Sequence, residues 1–214
     1  GRRSGFGKLF EKTGGPIIYR GSWFGGLFHG EGVQRVSRED PQSTKNEDGH
    51  YDLEYEGSFF NGLRHGFGTL TNSHEGTVCK GSWHNDKPVS GKWRIVLNDG
   101  SVYSGEAKVK EGDCQEELEV ATVWTDLPES DIPPMPNIFS IDIPSPHGFG
   151  AMKYDDGDIF IGLFKDGLRH GDGCFFQNGE KLEGSWKDNI LTVTKNDTEE
   201  LLKQNNDVHM HDRL

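Results

Sequence analysis

Three stretches of this chain share one frame. Tyr19, Gly21, Trp23, Gly26, His29, Gly30 and Gly32 recur, in type and spacing, as Tyr55, Gly57, Phe59, Gly62, His65, Gly66 and Gly68. They recur again as Phe160, Gly162, Phe164, Gly167, His170, Gly171 and Gly173. Agreement of this extent at a fixed period means small units stacked on one another, not a globule around one core. With the first ring of each stretch as position 0, the shared positions are 0, 2, 4, 7, 10, 11 and 13. Weaker copies follow from the same frame. Cys79, Gly81 and Trp83 keep positions 0, 2 and 4, with Asp86 where the turn glycine belongs. Tyr103 and Gly105 keep two positions, and Leu182, Gly184 and Trp186 open a copy that stops near Asn189. His147-Gly148-Phe149-Gly150 is the back half of a copy whose front is expected at Asn137, with Phe139 replacing its first glycine. Gly5-Phe6-Gly7 is the back half of a copy lying mostly before residue 1, which suggests a fragment or a worn cap. The unit is about 23 residues long, with two insertions of about 11–13 residues.

Each unit reads as a β-hairpin. Tyr19, Gly21 and Trp23 alternate with Arg20 and Ser22, the period of a strand. Gly25-Gly26 and Asn61-Gly62 supply the positive backbone angles of a two-residue turn, and the segment from His29 or His65 is the returning strand. A lone hairpin is marginal in water. Stacked hairpins let each ring pack on its neighbour's backbone, and the glycines at positions 2, 11 and 13 (Gly21, Gly30, Gly57, Gly66, Gly162 and Gly171 among them) are expected to leave room for that approach.

Read this way, the chain resembles the MORN repeat proteins, whose pattern Tyr-x-Gly-x-Trp-x-x-Gly-x-x-His-Gly-x-Gly stands nearly intact at 19–32, 55–68 and 160–173. The resemblance implies an all-β fold, an elongated single-layer stack of antiparallel β-hairpins with a groove. The expected organisation is a partial repeat at 1–18, repeats over 19–112 with a polar insertion at 34–52, and an irregular Pro-rich insertion at 113–136. Repeats resume over 137–191, and a short helix and frayed tail occupy 192–214. The helix is placed over about 198–205, after a capping-box-like Asp197-Thr-Glu-Glu200.

Composition bounds the function classes. Apolar residues make up only 32 % of the chain, but 30 of its 214 residues are glycine, as thin repeats around a narrow aromatic core require. The three cysteines have no framework spacing; Cys79 and Cys174 are expected to pack inward as free thiols of a cytoplasmic protein. No run is long enough to cross a bilayer as a helix, and the first residues carry no secretory leader. The net charge of −12 argues against nucleic-acid binding and against docking on anionic lipid. Arg2, Arg3, Arg64 and Arg169 are the only hints of a basic cluster, and a solvated face is the expected reading of them.

No catalytic or cofactor set stands out. The series His29, His65, His147 and His170 suggests a metal ladder, but zinc needs three or four ligands in one small sphere, so these are expected to bond neighbouring turns. Asp155, Asp156 and Asp158 fit an exposed turn, not an acid/base pair, and Glu116-Glu117 lacks a cleft. Gly5-Phe-Gly7-Lys8 and Gly148-Phe-Gly150 lack the strand-to-helix context of a phosphate loop. No cofactor and no metal are expected.

The remaining candidate is the ring series Tyr19, Trp23, Tyr55, Phe59, Trp83, Tyr103, Phe160, Phe164 and Trp186. Most of these rings belong to a core, but a single sheet has two faces, and rings along a groove would take a helix or extended segment of a partner. The expected function is a non-catalytic protein-interaction scaffold in a cytoskeletal, ciliary or membrane-junction assembly, with self-association through terminal repeats. The alternatives are the regulatory arm of a larger enzyme, a lysine methyltransferase or phosphoinositide kinase, and binding to acidic phospholipid.

Overall fold

The computed structural model describes residues 2–10, 15–36, 51–109 and 143–194. These form fourteen strands: β1 (Gly5–Phe10), β2 (Ile17–Phe24), β3 (Leu27–Val36), β4 (Leu53–Phe60), β5 (Leu63–Asn72), β6 (Thr77–His84), β7 (Lys87–Pro88), β8 (Gly91–Val96), β9 (Val102–Lys108), β10 (Ser145–Lys153), β11 (Ile159–Lys165), β12 (Leu168–Gln177), β13 (Glu180–Lys187) and β14 (Ile190–Thr194). They lie in one open antiparallel sheet in chain order, with β7 paired only to β6. There is no helix among the described residues. The helix expected over 198–205 and the irregular Pro-rich insertion at 113–136 lie outside them.

The turns at Gly25-Gly26 and Asn61-Gly62 form as the sequence predicts, and other hairpins share their angles. Gly25 and Gly26, Asn61 and Gly62, Asp166 and Gly167, and Asn178 and Gly179 all have positive φ, the primed turn that matches strand twist. Asn85-Asp86 and Asp188-Asn189 adopt the same angles without glycine, which Asn and Asp tolerate best among other residues. In each complete hairpin, positions 2 and 13 face each other: Gly21↔Gly32, Gly57↔Gly68 and Gly162↔Gly173. The position-0 ring lies over that pair. A Cβ at Gly57 would sit 2.5 Å from the Gly68 Cα and 2.9 Å from the Tyr55 hydroxyl.

Position 11 serves another purpose than expected. Added Cβ atoms at Gly30 and Gly66 would meet Ser22 and Ser58 at ordinary distances of 3.5 and 3.4 Å. What these glycines supply, with Gly171, is φ of +67, +77 and +72, the left-handed residue of a bulge over which the return strand gains two residues on its partner.

Three boundaries differ from the sequence reading. First, β9 pairs directly with β10, with Gly105 opposite Gly150 and Lys108 opposite Ser145. The halves at Tyr103 and His147 are therefore one hairpin, and in the sequence residues 109–144 stand between its two strands. Second, Gln34, Arg35 and Val36 belong to β3, not to the polar insertion: Gln34 is buried opposite Tyr19 and Tyr55, and the Arg35 Nε lies 2.6 Å from Glu54 on the next strand. Third, the copy at Cys79 holds its ring on the other strand. Trp93, on β8, lies over Gly81, where the rings of Tyr19 and Tyr55 lie over theirs.

One face of the sheet carries the core: Tyr19, Trp23, Tyr55, Phe59, Trp83, Trp93, Tyr103, Phe160, Phe164 and Trp186 with Leu53, Leu70, Cys79, Ile95 and Met152. No second layer is needed, because rings cover rings. Position 0 meets position 4 of its own repeat edge-on at 5.2 Å in Tyr19–Trp23, Tyr55–Phe59 and Phe160–Phe164. It meets position 4 of the following repeat at 5.4 Å in Tyr19–Phe59, Tyr55–Trp83 and Phe160–Trp186. Each such pair contributes about 0.5–1.5 kcal/mol beyond the area it buries.

Candidate functional site

The nine rings that the sequence offers as a groove are interior. Tyr19, Tyr55, Tyr103 and Phe160 have no exposed surface, and Trp23, Phe59, Trp83, Phe164 and Trp186 are buried. The contacts that stack the repeats also seal these rings from a partner. Burial pushes the Tyr19 and Tyr103 phenols up to about 12, assisted by the Glu31 and Glu106 charges respectively. The Tyr19 and Tyr55 hydroxyls donate to the Ser22 and Ser58 carbonyls at 2.8 and 3.2 Å, and Tyr103 donates to the Glu106 carbonyl. Burial likewise raises the Cys79 thiol to about 12. Cys174 does not face inward with it. It lies opposite Ile161, on the other face, and is half-buried.

Arg2 and Arg3 are exposed, but Arg64 and Arg169 are not a solvated face. Arg64 is 1 % exposed. Its Nε lies 2.9 Å from Asp86 Oδ1, its backbone N–H donates to the same oxygen at 2.8 Å, and a terminal nitrogen donates to the Asp86 carbonyl at 3.1 Å. The guanidinium lies 5.1 Å from the Trp83 ring and 5.6 Å from Tyr55. Arg169 repeats this with Asn189, to whose Oδ1 and carbonyl it donates, 4.5 Å from the Trp186 ring. Both tie one repeat to the turn of the next. A backbone bond recurs at the same junctions: the amides of Gly26, Gly62, Asp86, Gly167 and Asn189 donate to the carbonyls of Arg3, Phe28, Arg64, Pro146 and Arg169.

Of the histidines at position 10, His147 and His170 stand beside the turn of the next repeat without the expected hydrogen bond from Nδ1, and His29 and His65 meet rings instead. His147 Nδ1 is 3.5 Å from Asp166, and His170 Nδ1 is 3.4 Å from Asp188. Among the described residues no group of three or more His, Cys, Asp or Glu could hold a metal ion. Asp155, Asp156 and Asp158 form a turn in which the Asp156 and Asp158 amides donate to the preceding carboxylates. Glu116 and Glu117 lie outside the described residues. Gly5 and Gly148 have φ of +85 and +81, and Gly148 lies in the bulge of the β9–β10 pair.

The opposite face of the sheet presents what sequence reasoning missed. Phe24 and Phe60, at position 5, are 67 % and 50 % exposed. They touch a line of rings: Phe24–His29 at 5.6 Å, His29–Phe60 at 5.3 Å, Phe60–His65 at 5.7 Å and His65–His84 at 4.8 Å. Strand alternation carries the signal, because position 5 has the opposite parity to the buried positions 0, 2 and 4. Phe67 and Phe149, both at position 12, are exposed on this face as well.

A family model described as MORN repeat matches residues 19–35, 55–73, 146–159 and 160–181. The third match begins at the return half of the interrupted hairpin. No curated protein matches the chain.

Proposed function

Because the chain belongs to the MORN repeat proteins, we propose that it is a non-catalytic scaffold that holds a protein segment against the outer face of its sheet. MORN repeats are generally protein- or membrane-interaction modules. The observation that carries the reading is the line Phe24–His29–Phe60–His65–His84, presented by three successive repeats whose rings at positions 0 and 4 are buried. Bare rings in contact, on a rigid strand frame, offer apolar area to a helix or extended segment at little ordering cost. The scaffold acts in the cytoplasm, in a cytoskeletal, ciliary or membrane-junction assembly.

The test is affinity capture with the 214-residue chain and with Phe24→Ser/Phe60→Ser, followed by direct binding of the recovered partner to both. Both substitutions change exposed side chains, so the melting temperature should hold while the partner is lost. Equal binding of one partner to both forms would refute the outer-face reading.

A further inference from the structure

The middle of the outer face carries an arrangement that costs the free chain stability. Strand register sets Lys80 of β6 directly opposite Arg94 of β8. Both alternate with buried residues, Cys79 and Gly81 on one strand and Trp93 and Ile95 on the other, so both belong to the outer face, where they are exposed. Like charges directly opposite each other destabilise a sheet, and among the described residues neither cation has an ion-pair partner. The same register brackets the pair with hydroxyls: Thr69 of β5 is opposite Lys80, and Ser104 of β9 is opposite Arg94. Thr69, Lys80, Arg94 and Ser104 thus form one row across four strands, at a spacing of about 5 Å. The acids nearest in register stand aside from it, Glu56 beyond Thr69 and Glu106 opposite Lys92. Lys8 and Arg20 are also opposed, but there the next residue in the row is Val33 and not a hydroxyl.

The row adjoins the line of rings. Lys80 shares its strand and face with His84, and its Nζ lies 5.5 Å from the ring of Phe67, which is 55 % exposed and two residues along β5 from His65. Two unpaired cations side by side, in a chain of net charge −12, fit an anionic ligand. A bilayer or a nucleic acid is held by larger basic clusters, and the remaining charge of this chain repels both. A short run of carboxylates on a polypeptide is small enough to meet this pair alone. We propose that the partner segment is acidic where it crosses β6 and β8, its carboxylates on Lys80 and Arg94 and within reach of the Thr69 and Ser104 hydroxyls, with an apolar residue beside Phe67. This rests on the outer-face reading and names the chemistry of its partner; complementary charge fixes the register of the segment, and the rings supply apolar contact.

The experiment titrates the 214-residue chain into a fluorescein-labelled peptide, Phe-Gly-Ser-Glu-Asp-Glu, at low salt and follows anisotropy. The expected result is a saturable rise that the neutral peptide Phe-Gly-Ser-Gln-Asn-Gln does not show. Lys80→Ser/Arg94→Ser should weaken it about tenfold, the effect of two charge contacts, without lowering the melting temperature, because the change removes a repulsion. Lys153→Ser/Lys165→Ser, which takes the same charge from another part of this face, should bind as the parent does. No saturable rise, equal binding of the two peptides, equal weakening in both double variants, or a preference of the row for phosphatidylserine vesicles over the acidic peptide would overturn the proposal. A protein captured by the parent, lost with Phe24→Ser/Phe60→Ser but kept with Lys80→Ser/Arg94→Ser, would overturn it and leave the outer-face reading standing; one kept by both variants would overturn both.

Discussion

Asp86 is the residue through which the stack is best tested. Its carboxylate is the counter-ion of a guanidinium that is 1 % exposed and lies between Tyr55 and Trp83, at the junction of the second and third repeats. Removing one partner of a buried pair leaves a charge with neither water nor counter-ion, at a cost of about 3–5 kcal/mol. Asp86→Ala should therefore destabilise by about that much, with up to about 1–2 kcal/mol more from placing alanine at φ +67. Asp86→Asn should cost only about 1 kcal/mol. It retains the acceptor and the tolerance of that angle, and the chain already uses this form at Asn189, whose Oδ1 accepts from the Arg169 amide at 2.9 Å. The first repeat shows a third solution to the same junction. Phe28 replaces the arginine, stacked on Tyr19 at 3.7 Å, and Gly62 replaces the aspartate. Transplanting it as Arg64→Phe/Asp86→Gly should leave stability within about 1 kcal/mol of the parent, since exchanging a whole buried pair for apolar packing is often neutral. Urea unfolding followed by tryptophan fluorescence measures all three as midpoint shifts at constant slope. Equal losses in Asp86→Ala and Asp86→Asn would show that the charge, and not the retained acceptor, holds the junction, and would refute this reading. A double variant weaker than Asp86→Ala alone would show that the junctions are not interchangeable.

Replacing residues 109–144 by Asn-Gly should join β9 to β10 through an ordinary primed turn and stabilise the chain by about 2 kcal/mol from reduced loop entropy; a lower melting temperature would refute the interrupted-hairpin assignment. Gly57→Ala should cost several kcal/mol, because its Cβ meets backbone that cannot yield. Gly66→Asn should be milder than Gly66→Ala, because that site demands only a positive φ; equal effects, read by thermal melting, would count against the two roles. With phenol pKa values raised from about 10 to about 12, the stabilisation from Tyr19 and Tyr103 is fully present below pH 10 and lost as pH rises through 12, so absorbance at 295 nm and loss of β-sheet circular dichroism should rise together across that window. In the same folded chain Cys79 should resist thiol reagents that label Cys174, with peptide mapping as the readout.

The parts of the fold that were legible are those in which a side chain must meet one particular neighbour at a fixed spacing. A ring over a glycine pair fixes positions 0, 2 and 13, and a bulge fixes position 11, so the frame survives in sequence. What was not legible depends on contacts between repeats. Alternation puts Tyr55, Phe59 and Trp83 on one face, but only the 5.2 and 5.4 Å ring contacts show that this face covers itself and cannot serve as an open groove. Nor does sequence spacing constrain a turn, which fixes only its two ends. Lys108 and Ser145 are opposite each other whatever lies between them, so a search at constant spacing split one hairpin into two copies. The signal was present in complementary form, a front half at Tyr103 without a back and a back half at His147 without a front.

The third repeat shows which feature of the frame is physically required. Cys79 stands where the ring belongs, yet Gly81 is covered as closely as the others, because Trp93 fills the space from the return strand. Trp93 in turn meets Trp83 edge-on at 5.7 Å, and its indole N–H donates to the Val89 carbonyl at 2.8 Å. The cysteine left at position 0 is itself buried, beside Ile95 on the strand that carries the tryptophan. The requirement is thus a ring above the glycine at position 2, from whichever strand can supply it. A small residue at position 0 should be accompanied by a large one on the return strand. By that logic Cys79→Tyr alone would place two rings over one glycine and destabilise by about 1–3 kcal/mol, the cost of overpacking a filled core. Cys79→Tyr with Trp93→Gly would restore the arrangement of the second repeat, unless the extra residue between Trp83 and Trp93 prevents the return strand from closing. Recovery of the parental urea midpoint in the double variant, against its loss in each single one, is the result that this reasoning requires.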